Sequence, residues 1–392
     1  MKILQINNNH YKLGGAEVVY LNTIQLLEKY NNLVISLSRD SKNNLNIASK
    51  EYFIPDSNNL VNKFYSRKAA KLIDIIVQNE KPHIAHIHNI IGGITFSVLS
   101  SLKKHNIPII ATIHDFRLMC PVYVFMNGKK EICEQCKGGK YFNCIINNCA
   151  PEGISKSILV SIESYIRDYV LPFQNLIDRF IFVSSFTKKK FLEVYPEIES
   201  KSDVIYNFSD KPTDRRIIRG NYFLFFGRLS YEKGITTLLK TFNDNPMLKL
   251  KIIGDGPLKY IVENNKNTNV EYLGYKSGKD LEDLISNSSF VIVPSECYEN
   301  NPLTIVESYS MSKPVISSLL GGIKEIVVNE VTGFTFKHRE SGNLGEVLLK
   351  AERISDSKYN LISQNAFEFY NNNFTKELYI QKLLEVYKKS VL

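Results

Sequence analysis

Two carboxylates eight positions apart, Glu299 and Glu307, stand in the stretch Pro294-Ser-Glu-Cys-Tyr-Glu-Asn-Asn-Pro-Leu-Thr-Ile-Val-Glu-Ser308. A carboxylate accepts hydrogen bonds on both oxygens, which suits it to vicinal hydroxyls such as those of a sugar. The apolar run Phe290–Val293 just before reads as a buried strand. Asn301 is a good helix cap, and Pro302 fits the first helical position, where a missing N–H costs nothing. The order is therefore strand, loop with Glu299, then a helix whose Leu303 and Thr304 amides face the loop. Such a helix start is an anion site. Glu307, a turn and a half further in, would reach past a bound phosphate toward a sugar.

Other residues carry related chemistry. In Leu13-Gly-Gly-Ala-Glu17 the pair Gly14-Gly15 lets backbone amides approach a phosphate without interference from a Cβ, although the Gly-x-Gly-x-x-Gly dinucleotide pattern is absent. His114-Asp115 closes the apolar run Ile109–Ile113, and His86 and His88 close another. A lone histidine is more often structural than catalytic, and that reading is the better one for His88.

These groups need a scaffold that gathers strand ends, and the chain supplies one twice. In the first half, Ile3–Ile6, Leu33–Leu37, His83–His88, Ile109–Ile113, Phe180–Val183 and Val204–Tyr206 read as strands. Between them lie helical patterns such as Gly15–Tyr30 and the stripe Ala69, Leu72, Ile73, Ile76. Ile158, Ile162, Tyr165, Ile166 and Tyr169 trace another helical face. After a polar linker, Asn207–Asp214, the second half repeats the pattern with Tyr222–Phe226, Leu250–Ile253, Val270–Leu273, Phe290–Val293 and Val315–Ile316. The last amphipathic helix is expected around Lys376–Lys389. Alternation of this kind predicts α/β architecture: two doubly wound, Rossmann-like domains with ligands outside the carboxyl ends of parallel strands. The expected division is 1–207, 208–370 and a C-terminal helical segment, 371–392.

The Glu299-to-Glu307 stretch resembles the C-terminal signature of glycosyltransferase family 4, the retaining, nucleotide-sugar-dependent enzymes. Phe226-Gly-Arg-Leu-Ser-Tyr-Glu-Lys-Gly234 is similar to the family's second signature, and Gly321-Gly322, Glu325 and Thr332-Gly333-Phe334 extend the likeness. In order, the matching pieces cover nearly the whole chain. The resemblance implies the GT-B fold, two such domains facing across a cleft with the last helix returning to the first. It implies transfer of a sugar from a nucleotide sugar of UDP or GDP type to a hydroxyl of a glycan or lipid-linked acceptor, in surface-polysaccharide assembly. In these terms Arg228 and Lys233 neutralise the leaving diphosphate, the arginine as a fork and the lysine as a point charge. Gly14 and Gly15 line the cleft near that diphosphate, and Gly274 and Tyr275 lie at the nucleobase. Glu307 holds the ribose, Glu299 the donor sugar's hydroxyls, and His114 faces the donor sugar. No Asp-x-Asp motif occurs in the sequence, in keeping with cations of the chain replacing a catalytic metal. The pair Asn300-Asn301 departs from the glycine-containing pair of many members, which leaves the donor open.

Five of six cysteines fall between positions 120 and 149. Cys133-x2-Cys136 followed by Cys144 and Cys149 has the spacing of a structural zinc site, and part of the resembling family carries a similar insertion. Packed, reduced thiols are the alternative. The 392 residues carry 44% hydrophobic and 23% charged side chains, as a soluble globular protein does. No stretch reads as a membrane span or leader, so a cytoplasmic location, at the inner face of the plasma membrane, is expected. The net charge of +9 favours an anionic partner: nucleotide phosphate or an acidic membrane surface. A nucleic-acid-binding role lacks stacking aromatics interleaved with basic residues. A GT-B-like sugar-nucleotide epimerase would share the cleft but would need acid and base carboxylates on both faces of the sugar, and no acceptor.

Overall fold

The computed structural model describes residues 1–55, 64–212 and 215–391. Thr213 and Asp214, at the end of the expected linker, and Leu392, at the end of the expected C-terminal segment, lie outside the described residues. The chain divides into two compact units: Met1–Tyr206 with Glu377–Leu392, and Asn207–Lys376.

The first unit is built on seven strands: β1 (Lys2–Ile6), β2 (Leu33–Arg39), β3 (Lys50–Ile54), β4 (Ile84–Ile87), β5 (Ile109–Ile113), β6 (Arg179–Phe182) and β7 (Ser202–Val204). They pair in the order β3-β2-β1-β4-β5-β6-β7, all parallel. Parallel strands are covered on both faces, which is why β4 and β5 are uninterrupted buried runs. The edge strand β3, Lys-Glu-Tyr-Phe-Ile, carries no apolar run and escapes sequence reading. The last helix, Lys376–Val391, buries Tyr379, Ile380, Leu383 and Tyr387 in this unit. The Tyr379 hydroxyl meets Thr23 Oγ1 at 2.8 Å.

The helix Ile154–Val170 is built inside out. Ser157, Ser161, Ser164 and Arg167 are its buried residues, while Ile154, Ile158, Ile162 and Ile166 are exposed. The inversion has a local cause. Arg167 donates to the Arg117 and Leu118 carbonyls and pairs with Asp168 at 2.9 Å, and Ser161 donates to the Tyr141 carbonyl at 3.0 Å. A buried guanidinium so surrounded is costly to release, and it fixes which face turns inward.

The second unit has six parallel strands: β8 (Phe223–Phe226), β9 (Leu250–Ile253), β10 (Val270–Tyr272), β11 (Val291–Val293), β12 (Val315–Ser318) and β13 (Gly333–Phe336). Their order is β10-β9-β8-β11-β12-β13. Phe290, fully buried, packs against Phe223, Phe334 and Tyr359 with ring centroids 5.5 to 6.1 Å apart. Truncating such a ring costs about 3–5 kcal/mol.

Sheet order sets where a ligand can go. In each sheet the chain first winds outward on one side of its opening strand, then returns to the other side. The switch points lie between β1 and β4 and between β8 and β11. Crevices form at such points, outside the strands' carboxyl ends.

Gly234 holds the second switch point closed. Its φ is +73°, and a Cβ there would collide with the carbonyl oxygen of Pro294 just beyond β11. Left-handed strain and the backbone clash add. Gly234→Ala should lower the stability of this unit by about 2–4 kcal/mol, read as a shifted urea midpoint at unchanged slope. An unchanged midpoint would show that the loop accommodates a side chain at position 234.

Candidate active site

In the second unit, the loops leaving β8 and β11 are tied together at the switch point. The Glu296 amide donates to the Glu232 carbonyl at 2.8 Å, and Thr304 Oγ1 to the Phe226 carbonyl at 3.4 Å. The Lys233 ammonium sits 2.5 Å from Glu299 Oε1, which also accepts from Ser295 Oγ at 2.6 Å. Both bonds fall on Oε1, so Oε2 lies outside them. Glu299 is buried, whereas the Lys233 side chain is 32% exposed. An ammonium has three protons to give, and the carboxylate takes one. Burial pulls the Lys233 pKa down, but the surrounding anionic groups, Glu299 first, outweigh it and hold the ammonium above its ordinary value. Lys233 therefore stays charged at neutral pH.

Arg228 is exposed and makes no ion pair among the described residues, five positions from Lys233. The helix after the β11 loop, Leu303–Ser310, has Pro302 at its N-cap and no side-chain cap. The first-turn amides, Leu303 and Thr304 among them, thus lack a capping acceptor. Here the expectation for Asn301 is corrected. Its side-chain oxygen does not cap this helix but accepts from the Asn207 amide at 2.8 Å, while Asn207 Nδ2 donates to the Asn301 carbonyl at 2.7 Å. That reciprocal pair keeps the carboxamide from turning toward the helix, and Pro302 takes the N-cap in place of the first helical position. Glu307 lies on this helix, partly buried. Gly274 and the exposed Tyr275 follow β10 at the sheet edge, where Gly274 has a φ of +70° and its carbonyl accepts from Gly254 N at 3.0 Å. Gly321, at φ +63°, brings the loop after β12 against Glu299: the Gly322 amide donates to the Glu299 carbonyl at 2.6 Å. Ser295 and Asn207 escaped the sequence reading. Ser295 lies inside the Glu299 stretch and carried a signal, whereas Asn207 is far away in sequence and carried none.

The first unit places Gly14 at the N-cap of helix Gly15–Lys29, again without a side-chain cap. Both glycines are exposed, and the buried Glu17 in the first turn accepts from Asn9 Nδ2 at 3.2 Å. His114 follows β5 and is not alone. His88, after β4, meets it with Nδ1 2.8 Å from His114 Nε2. Behind His88 stand Gln5, His86 and Tyr387, all buried. Burial lowers His114 to about 4 and His86 to about 3, and pushes His88 well down, so all three rings are neutral near pH 7.

The zinc expectation is not supported. Among the described residues no group of three or more His, Cys, Asp or Glu side chains is arranged to hold a metal ion. All of Cys133, Cys136, Cys144 and Cys149 are free thiols. A hydrogen bond from the Cys149 thiol, with the Ser161 and Ser157 hydroxyls helping, draws Cys144 down to about 7. That same bond holds the Cys149 proton in place. Cys136 is buried, which raises its pKa and keeps it protonated. Two thiols that share a hydrogen bond and a third that is desolvated make a packed lobe, in which Tyr141 and Phe125 are also buried.

Residues 13–211 match the family model described as Glycosyltransferase Family 4, and residues 211–369 match that of the glycosyl transferases group 1. The chain is 26% identical to an uncharacterised 42.6 kDa protein in the cps region of Klebsiella pneumoniae, over 83% of this chain and 87% of that one. It is 29% identical to an uncharacterised glycosyltransferase of Methanocaldococcus jannaschii over 54% of this chain, spanning 60% of that protein's length. Anabaena Alr3699/HepE, solved in complex with UDP, superposes with a TM-score of 0.70 at 17% identity, covering 99% of this chain and 100% of that chain. A glycosyltransferase from Rickettsia africae gives 0.71 at 18%, covering 100% and 98%. The two parallel α/β units are those of the GT-B fold. On both family models, which meet at residue 211, the chain belongs to glycosyltransferase family 4.

Proposed function

We propose that this protein transfers a sugar from a nucleotide sugar to an acceptor hydroxyl with retention at the anomeric carbon. The observation that carries the reading is the Lys233–Glu299 contact at the switch point of the second sheet, with Arg228 exposed and the Leu303–Ser310 helix uncapped. Arg228, Lys233 and the Leu303 and Thr304 amides meet the donor's diphosphate, in place of a divalent cation. Glu299 Oε2 takes hydroxyls of the donor sugar, Glu307 the ribose, and Gly274 and Tyr275 the base. Gly14 and Gly15 approach the diphosphate by their amides, and His114 faces the sugar. The bond from the anomeric carbon to the diphosphate oxygen breaks, the acceptor oxygen bonds to that carbon on the same face, and its proton passes to the departing phosphate. Fixed positive groups aimed at the leaving diphosphate supply most of the rate.

A UDP-type donor is the first choice, because HepE was solved with UDP and with UDP-glucose; a GDP-type donor is the next. A glycan or lipid-linked acceptor in surface-polysaccharide assembly fits the relative from a cps region. The test is nucleotide release from UDP- and GDP-sugars, with and without added acceptor and with chelator present. Release that rises with acceptor and survives chelation, giving a product of retained configuration by NMR, is expected. An epimerised nucleotide sugar, or release indifferent to every acceptor, would overturn the reading.

Glu307→Gln separates binding from chemistry. Loss of a charged hydrogen bond to ribose should weaken nucleotide sugar and free nucleoside diphosphate alike by about 1.5–3 kcal/mol. Equal affinity of the variant for the free nucleoside diphosphate, measured by calorimetry, would remove Glu307 from the ribose.

The reading places the protein at the inner face of an anionic membrane, where a lipid-linked acceptor would lie. No helix among the described residues is long and apolar enough to cross a bilayer. The outward stripe Ile154, Ile158, Ile162, Ile166 and Tyr169, the last 84% exposed, supports peripheral contact, and Phe142 and Ile146 are exposed on the neighbouring short helix. The charge lies in the same unit: Met1–Tyr206 with Glu377–Leu392 holds 28 Lys and Arg against 20 Asp and Glu. An apolar stripe on a basic body suits an anionic lipid surface. Sedimentation with phosphatidylglycerol vesicles should be strong at low salt, weaken as salt rises, and fall several-fold in Ile158→Glu/Ile162→Glu. Binding unaffected by that double substitution would move the contact elsewhere, and a dimer lost in the variant would assign the stripe to self-association.

A further inference from the structure

The neutral rings behind His114 form one continuous chain of hydrogen bonds. His86 Nε2 lies 2.7 Å from Thr112 Oγ1 and its Nδ1 lies 2.7 Å from the Tyr387 hydroxyl. Gln5 turns its Nε2 toward that hydroxyl at 3.1 Å and toward His86 Nδ1 at 3.3 Å. Its other end, Oε1, lies 3.1 Å from His88 Nε2. His88 Nδ1 then lies 2.8 Å from His114 Nε2, and the two rings are nearly parallel, 18° apart.

Counting protons along this chain leaves no freedom at its end. A carboxamide oxygen only accepts, so His88 carries its proton on Nε2. A neutral imidazole has one N–H, so His88 Nδ1 is an acceptor. His114 must then donate from Nε2, and its Nδ1 has no proton. Tyr387 donates to His86 Nδ1 and accepts from Gln5 Nε2, which is consistent with a proton on His86 Nε2 facing Thr112. The Gln5 amide is thus locked at both ends, with Tyr387 of the last helix as the far anchor.

We propose that His88 is a positioning residue for the transfer reaction: it fixes the ring plane and tautomer of His114, which then meets the donor sugar's hydroxyls as an acceptor through Nδ1. This rests on the role given to His114 above. His88 itself touches no substrate. Gln5, His86 and Tyr387 set the direction of the chain, which ties the C-terminal helix to the reacting face of the same unit.

Long-range proton–nitrogen NMR on 15N-labelled wild-type protein reads the tautomers directly. A proton on Nε2 of both His114 and His88 is expected. His88→Asn places a carboxamide oxygen where Nδ1 was and should keep the His114 tautomer and most of the turnover. His88→Leu removes the acceptor; kcat should fall by about tenfold or more while affinity for the free nucleoside diphosphate stays unchanged. Should the leucine variant fail to fold, His88→Gln, whose carboxamide reaches the Nε2 position to donate to Gln5 and leaves no acceptor at Nδ1, should lose turnover in the same way. A His114 proton on Nδ1 in the wild type overturns the relay, as does equal turnover in the asparagine and leucine variants. Full activity in His114→Ala is a different failure: it overturns the role of His114, and with it any part for His88 in the reaction, whatever the tautomers.

Discussion

Where β8 and β11 lie side by side in the second sheet, Lys233 and Glu299 bring opposite charges to 2.5 Å at their carboxyl ends. Neither loop could hold that geometry by itself. The contact needs Gly234 to let the β8 loop close on Pro294, the Glu232–Glu296 backbone bond to align the loops, and Gly321 to press the next loop on the Glu299 carbonyl. An ion pair at a partly open site contributes little net stability, since desolvation offsets most of the attraction. Its value under the proposed function is geometric: a cation and a carboxylate oxygen would stand at fixed places before a donor arrives. Preorganisation of that kind avoids the cost of assembling a site during reaction.

The first unit reaches a similar result by different means. Its polar groups are neutral, and burial keeps them so. His86, His88 and His114 are linked through Gln5 and Tyr387 in a chain that would be broken by protonating His86 or His88. In an enclosed setting a satisfied network of this kind is rigid, and an unsatisfied one is costly. One unit therefore holds its candidate site residues with charge, the other with a fixed sequence of donors and acceptors.

Much of this was legible in the sequence, for physical reasons. Parallel strands buried on both faces leave apolar runs such as Phe223–Phe226 and Ile109–Ile113, and the βα alternation that follows from them gave the fold class. The strands that escaped, Lys50–Ile54 and Gly333–Phe336, have mixed polarity or begin with glycine, and their pairing depends on neighbours distant in sequence. The Glu299 and Arg228 stretches stand out in the sequence by their local spacing. The partners that hold them do not: Asn207 reaches Asn301 across 94 positions, and Tyr387 reaches His86 across 301. His88 looked structural because a lone histidine usually is, and only the fold puts its ring against His114. Asn301 has the chemistry of a cap, but a tertiary partner competes for its carboxamide and wins. The cysteines have zinc spacing, yet the Cys149 thiol hydrogen-bonds to Cys144, and spacing along a chain says nothing of where the sulfurs point.

Under the proposed function, Arg228 and Lys233 at the switch point of the second sheet bind the diphosphate of a nucleotide donor. Calorimetric titration of UDP and uridine, with GDP and guanosine as a second pair, against wild type and Arg228→Leu tests it without any acceptor. For the pair that binds, the variant should lose about tenfold or more in affinity for the diphosphate, as expected for a charge-assisted contact, and keep its affinity for the nucleoside. Equal diphosphate affinity in the two proteins would contradict it.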